Sequence, residues 1–272
     1  MASAKRSNTV LLLRTHYIDD ALAALADRYQ RESGLELVVV ADESAGAVNV
    51  PARFHKIGLN RAMVAAAGLV NLDRWGWQCG DYFLILAQQI LTAYEHFWMV
   101  EPDVLINYAD LSAFFGLFAE DESDLWVASL GHYGSDWFWY PAMQNFSPGP
   151  IGGCFYPLLR SSARLIRALA TTRRAMRVQM GLANENGVVQ IDPARYPNDE
   201  AITATIALAA PFVANDFSRR GVVCGPESYG LGEPFSATAL AQHKPDGRLY
   251  HPVLSEARLA ERIKLLGSAE SV

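Results

Sequence analysis

Apolar positions in the first hundred residues follow two alternating spacings. Residues 10–13 form an uninterrupted apolar run of the kind a buried strand shows, and Ile18, Leu22, Leu25 and Tyr29 then recur at helical spacing. Residues 35–41 are apolar apart from Glu36 and stop at Asp42-Glu43-Ser44, a cluster that favours a turn. Strand, helix and strand in this order predict a right-handed βαβ crossover. Such a unit brings Thr15, His16 and Asp42 to one sheet edge, the edge at which open α/β folds bind ligands.

The alternation continues. Residues 82–94 predict a helix with Phe83, Leu86, Ile90 and Leu91 on one side and Asp81 as its cap, and residues 97–100 predict the next buried strand. That strand ends at Glu101-Pro102-Asp103, again on the ligand edge. Further on, residues 111–118 read as a helix, 125–129 as a strand, 131–153 as a long loop and 161–176 as a basic amphipathic helix. Asn198-Asp199-Glu200 caps a helix running towards Ala209, and 258–266 form a last one. No repeat or Pro/Gly/Ser-rich linker divides the chain. The expectation is an α/β fold over residues 1–272, an open, mostly parallel, twisted sheet flanked by helices followed by a more irregular part.

Composition narrows the function classes. The 272 residues are 51% hydrophobic and 19% charged, which excludes disorder for the bulk of the chain. A formal charge of -6 leaves no global positive field for nucleic acid or anionic lipid, although a peripheral membrane contact stays open. Cys79, Cys154 and Cys224 are too few and too far apart for a disulfide framework or a thiolate zinc site, so a reducing cytoplasm is the simplest compartment. No stretch reaches the length of a membrane span.

Two carboxylates at alternate positions of an extended segment, Glu101 and Asp103, point to one side and suit a hard divalent cation. They equally suit an exposed strand end around a proline. A carboxylate at the start of a helix, Asp199 or Glu200, offers a base for an acceptor hydroxyl, but only in a site that lifts its pKa or aligns the proton; helix capping is the plain alternative. The loop around Trp137 and Trp139 crowds aromatic rings beside Asp136, which fits stacking on the apolar faces of sugars and fits a buried aromatic cluster equally well.

The segment YEHFWMVEPDVLI resembles the part of GT-A-type glycosyltransferases in which a hydrophobic strand ends in a short acidic metal motif, with Glu101 in place of the first Asp. VLLLRTHY, LVVVADES and WGWQCGDYFLILAQQ resemble the preceding segments of that superfamily, and GGCFYPLLRSSARLIRAL and YPNDEAITATIA its acceptor-side segments. The resemblance implies a GT-A-like domain with residues 1–105 on the nucleotide and metal side and 106–272 on the acceptor side. It further implies a nucleotide-diphospho-sugar donor, a hydroxyl acceptor such as a carbohydrate, and Mn²⁺ or Mg²⁺ held by Glu101 and Asp103. Asp42 is then placed at the base, Thr15 along base and ribose, Glu101 at both donor and metal, and His251, in GRLYHPVL, as a late third metal ligand. Arg14 and Lys56 are nearby cations that could meet phosphate, and His243 reads as an exposed turn residue. A nucleotidyltransferase and a non-catalytic nucleotide- or carbohydrate-binding protein of the same fold are the alternatives. The first would carry a Gly-rich phosphate loop after the first strand, which RTHYIDD is not.

Overall fold

The computed structural model describes residues 8–182 and 187–269. In chain order its strands and helices are β1 (Thr9–Thr15), α1 (Asp20–Glu32), β2 (Glu36–Asp42), β3 (His55–Leu59), α2 (Arg61–Ala66), α3 (Trp75–Gln78), α4 (Asp81–Ile90), β4 (His96–Val100), β5 (Leu105–Asn107), α5 (Leu111–Gly116) and β6 (Leu125–His132). They continue with α6 (Tyr140–Gln144), β7 (Gly152–Ser162), α7 (Ala163–Gln179), α8 (Asp199–Ala207), β8 (Ala214–Asp216), β9 (Phe235–Ser236), α9 (Ala237–Ala241), β10 (Arg248–Tyr250), β11 (Val253–Leu254) and α10 (Glu256–Ala269).

Seven strands form one sheet in the order β3-β2-β1-β4-β7-β6-β8, with β7 antiparallel to both of its neighbours and the other pairings parallel. This is the open, mostly parallel α/β sheet that the apolar pattern predicts, and it takes strands from both halves of the chain. Because successive side chains of a strand point to opposite faces, each apolar strand feeds two cores. Leu12, Val38, Val40 and Met99 pack under α2, α4, α7 and α8, whereas Leu11, Leu13, Val39 and Trp98 pack under α1 and α5. This two-sided burial explains why the strands read as continuous apolar runs.

Several boundaries differ from the sequence reading, each for a nonlocal reason. Strand β7 escapes the periodicity because its eleven residues are all buried, Arg160 included, and Pro157 sits where the pairing with β6 shifts register. Arg160 is tolerated inside because its guanidinium donates to the carbonyls of Asp121 and Ser123. The expected loop 131–153 is shortened by β6 running on to His132, by α6 and by the early start of β7. Asp81 is not the cap of α4: Gly80 holds that position, and Asp81 makes a two-pronged pair with Arg173 of α7 at 2.7 Å, both side chains fully buried. Asn198, whose side chain accepts from the Ala201 N–H at 2.9 Å, caps α8. Among the described residues no helix is long and apolar enough to cross a membrane.

Candidate functional site

The C-terminal ends of β1, β2 and β4 open onto a cavity of about 370 Å³ bordered by Arg14, Thr15, His16, Asp42, Glu101 and Asp103. Its opposite wall is the turn leading into α3 and α3 itself, with Asp73, Arg74, Gly76 and Trp77. The parallel strands deliver the first group and the crossover between β3 and α4 delivers the second, the arrangement expected at the carboxyl edge of an open α/β sheet.

Arg14 organises the floor. Its Nη1 donates to Glu101 Oε1 at 2.8 Å and lies 3.8 Å from Asp199 Oδ2, its Nη2 donates to the Gly76 carbonyl, and its guanidinium lies over the Phe83 ring at 4.7 Å. The sequence suggested that Arg14 could meet phosphate; in the structure its guanidinium borders the cavity and ties Glu101, Gly76 and Asp199 together. Lys56 is likewise taken up, by the Glu43 carboxylate and the Val48 carbonyl. The close approach of this network requires glycine on the facing wall. A Cβ at Gly76 would collide with the Asp42 carboxylate, and one at Gly80 with Arg14 and Asp199.

Asp42 Oδ1 accepts from the Ser44 N–H at 2.8 Å, which fixes the carboxylate at the strand end. Thr15 is buried, and its hydroxyl is engaged with the Tyr17 backbone on both its donor and acceptor sides. Burial, reinforced by Arg258, lowers the pKa of His16 beside it.

His251 reaches the acidic tripeptide through a second layer of pairing. β5 begins two residues after Asp103 and pairs antiparallel with β10, which sets Tyr250 against Leu105, and the Val253 N–H donates to the Asp103 carbonyl at 2.7 Å. One ligand atom from each of Glu101, Asp103 and His251 then lies within 4.8 Å of the others. His251 Nδ1 is 2.8 Å from the Gly230 carbonyl, a partner that can only accept, so Nδ1 carries a proton. Nε2 faces Asp103 Oδ2 at 3.6 Å, and Asp103 Oδ1 is buried with no hydrogen-bond partner among the described residues. Burial pushes the Asp103 carboxyl above its ordinary pKa, Glu101 adding to the effect and His251 opposing it.

Asp199, Glu200, Trp137 and Trp139 are not among the residues bordering the cavity. Asp199 lies behind Arg14 and accepts from the Gly80 N–H at 2.7 Å; burial, opposed by Arg14, raises its pKa well above the usual carboxylate range. Glu200 is pushed up to about 7, mainly by burial, against a hydrogen bond from Asn198 at 3.1 Å. Trp137 packs against Tyr133 with the ring centroids 4.6 Å apart and the planes tilted by 35°. Trp139 is 8% exposed and lies 5.9 Å from Trp77, which is 62% exposed on the cavity wall. His243 is exposed in a turn, as its sequence suggested. The sequence reading assigned no role to Asp73, Arg74, Gly76 or Trp77; the signal was the Trp-Gly-Trp spacing, which in a single helical turn sends one indole inward and the other out.

Neither a protein-family model nor a curated protein sequence matches the chain. Among solved structures it is similar to a glycosyltransferase involved in the glycosylation of the major capsid of PBCV-1, at 11% identity and a TM-score of 0.37, covering 94% of this chain and 99% of that one. It is also similar to the mannosyltransferase Ktr4p from S. cerevisiae in complex with GDP, at 12% identity and a TM-score of 0.41, covering 77% of this chain and 67% of that one.

Proposed function

We propose that this chain is a glycosyltransferase that takes a sugar from a nucleotide-diphospho-sugar and passes it to a hydroxyl acceptor, with Mn²⁺ or Mg²⁺ held by Glu101, Asp103 and His251. The observation that carries the reading is the convergence of these three groups at the carboxyl edge of the sheet, on the rim of a cavity that also presents Asp42. The donor set fits a divalent cation. With Nδ1 protonated towards Gly230, a neutral His251 presents its Nε2 lone pair to a carboxylate oxygen, and a partnerless Asp103 oxygen is buried beside it. Two acceptors in that relation repel unless a proton or cation sits with them, and oxygen and imidazole ligands suit Mn²⁺ and Mg²⁺. When bound, the cation supplies charge neutralisation for the departing diphosphate.

In this reading Asp42 accepts hydrogen bonds from the nucleotide base, and its fixed carboxylate discriminates among bases through the polar groups it leaves unpaired with the wrong one. Thr15, its hydroxyl already engaged, contributes a wall along base and ribose. Arg14 is a positioning residue: it holds Glu101 for the cation and the start of α8 for the acceptor side. Of the two carboxylates on α8, Glu200 is the better general base, since a pKa of about 7 is matched to neutral pH. Asp199 is occupied by the Gly80 N–H and Arg14 and serves to orient the helix. Trp137 and Trp139 belong to the acceptor side, Trp139 by supporting Trp77.

Calorimetry with UDP and GDP, with and without Mn²⁺, followed by a donor-hydrolysis assay on a panel of nucleotide sugars, tests the proposal. Mn²⁺-dependent nucleotide binding with turnover is the expected result. Binding without turnover supports the non-catalytic binding protein instead, and no binding of either nucleotide overturns the reading.

A further inference from the structure

We infer that the hollow on the far side of the Trp77 wall is a subsite for a saccharide, which makes the acceptor a glycan and Trp77 its stacking platform. The inference deepens the glycosyltransferase reading and rests on it for the word acceptor. The hollow has a volume of about 280 Å³ and shares Asp73, Arg74 and Trp77 with the donor cavity, so a ligand in it lies directly beside the donor. That volume is close to the lower bound of roughly 300 Å³ for small-molecule clefts, which suits one sugar unit or the terminal unit of a longer glycan.

The lining has the two-sided chemistry that a pyranose ring requires. Leu72 and Ile191 give an apolar floor, while Asp73, Arg74 and the exposed Gln190 bring a carboxylate, a guanidinium and an amide to the rim. Asp73 and Arg74 are exposed, and although Arg61 lies 3.9 Å from one Asp73 carboxylate oxygen, both side chains can reach sugar hydroxyls. A purely apolar ligand would strip water from these groups without replacing its hydrogen bonds, whereas a sugar replaces them.

Trp77 is held for this purpose by the turn beneath it. Trp75 is anchored in the core, the Gly76 carbonyl accepts from Arg14, and the Trp77 N–H donates to the Arg74 carbonyl at 3.0 Å. Trp139, 5.9 Å away and 8% exposed, supports the indole from behind. An indole 62% exposed on a fixed turn presents an aromatic face at little conformational cost on binding. The sugar's C–H face would lie on that ring and its hydroxyls would meet Asp73, Arg74 and Gln190.

The experiment is saturation-transfer NMR on the full chain with methyl glycosides and disaccharides of glucose, galactose, mannose and N-acetylglucosamine, alone and with saturating GDP or UDP plus Mn²⁺. At least one glycoside is expected to bind through its ring C–H protons and to stay bound when nucleotide is present. Its affinity should fall about tenfold or more in Trp77→Ala, be largely retained in Trp77→Phe, and be lost in Ile191→Arg, which fills the hollow from its floor. Nucleotide binding with no glycoside binding overturns the inference, as does glycoside binding that is indifferent to Trp77→Ala and Ile191→Arg or that is displaced by nucleotide. Glycoside binding of the expected kind without any nucleotide binding upholds the saccharide site and overturns the donor reading beneath it.

Discussion

Replacing Glu200 by glutamine separates what this side chain does for the fold from what it does for chemistry. Burial raises its pKa from 4.5 to about 7, so between these values the folded chain holds a proton that the unfolded chain has released. Stability therefore falls as pH rises from about 4.5, and the loss is complete above about 7. A shift of about 2.5 units corresponds to a ceiling of about 3.5 kcal/mol at about 1.4 kcal/mol per unit. The residue as a whole is half-buried, and discounting for solvent screening brings the expected effect to about 1–2 kcal/mol. The glutamine amide cannot ionise and keeps an oxygen for the Asn198 amide, so Glu200→Gln should match the parent near pH 4.5 and exceed it by about 1–2 kcal/mol at pH 8. Urea denaturation at half-unit steps of pH, with the slope of the transition checked for constancy, gives the difference directly. The same variant should lose glycosyl transfer about 10²-fold or more if Glu200 is the base. A stability difference that stays flat with pH refutes the burial argument, and full transfer activity in a variant that shows the expected stability profile refutes the catalytic role alone.

Other substitutions probe separate parts of the molecule. Asp103→Ala and His251→Gln should each weaken Mn²⁺-dependent nucleotide binding at least about tenfold by calorimetry, with little change in metal-free melting; unchanged affinity in both removes the metal assignment. Gly76→Ala should push the Asp42 carboxylate out of place and reduce the preference between UDP and GDP more than it reduces affinity for inorganic diphosphate, which calorimetry with the three ligands would show. Arg173→Met strands a fully buried Asp81 carboxylate and should cost about 3–5 kcal/mol in urea denaturation, most of it recovered in the Arg173→Met, Asp81→Leu double variant. A single Arg173→Met that is as stable as the parent would mean that the pair is not the anchor between α4 and α7.

What the sequence by itself determined is the part of the molecule built from local pattern. β1, α1, β2 and β4 are legible because a fully buried parallel strand is an apolar run and a half-buried helix repeats every three to four residues, whatever lies elsewhere in the chain. The ends of those runs place Thr15, Asp42, Glu101 and Asp103 on one edge, and the structure collects these four around one cavity. The tertiary structure decided everything that depends on partners distant in sequence. The reversed strand β7 can bury Arg160 because carbonyls from a neighbouring loop accept its protons, and no periodicity announces that. His251 meets Asp103 through the β5–β10 pairing, and Asp199 meets Arg14 because α8 docks on the sheet. Asp81 looked like a cap and became half of a buried ion pair because α7 supplies Arg173 opposite it. Two neighbouring tryptophan segments show the limit most plainly. The sequence marks Trp139, in its aromatic loop, as a candidate for contact with a ligand and gives Trp77 no role, but packing buries Trp139 and leaves Trp77 in solvent on the wall of the site, since exposure is a property of the assembled surface and not of the residue.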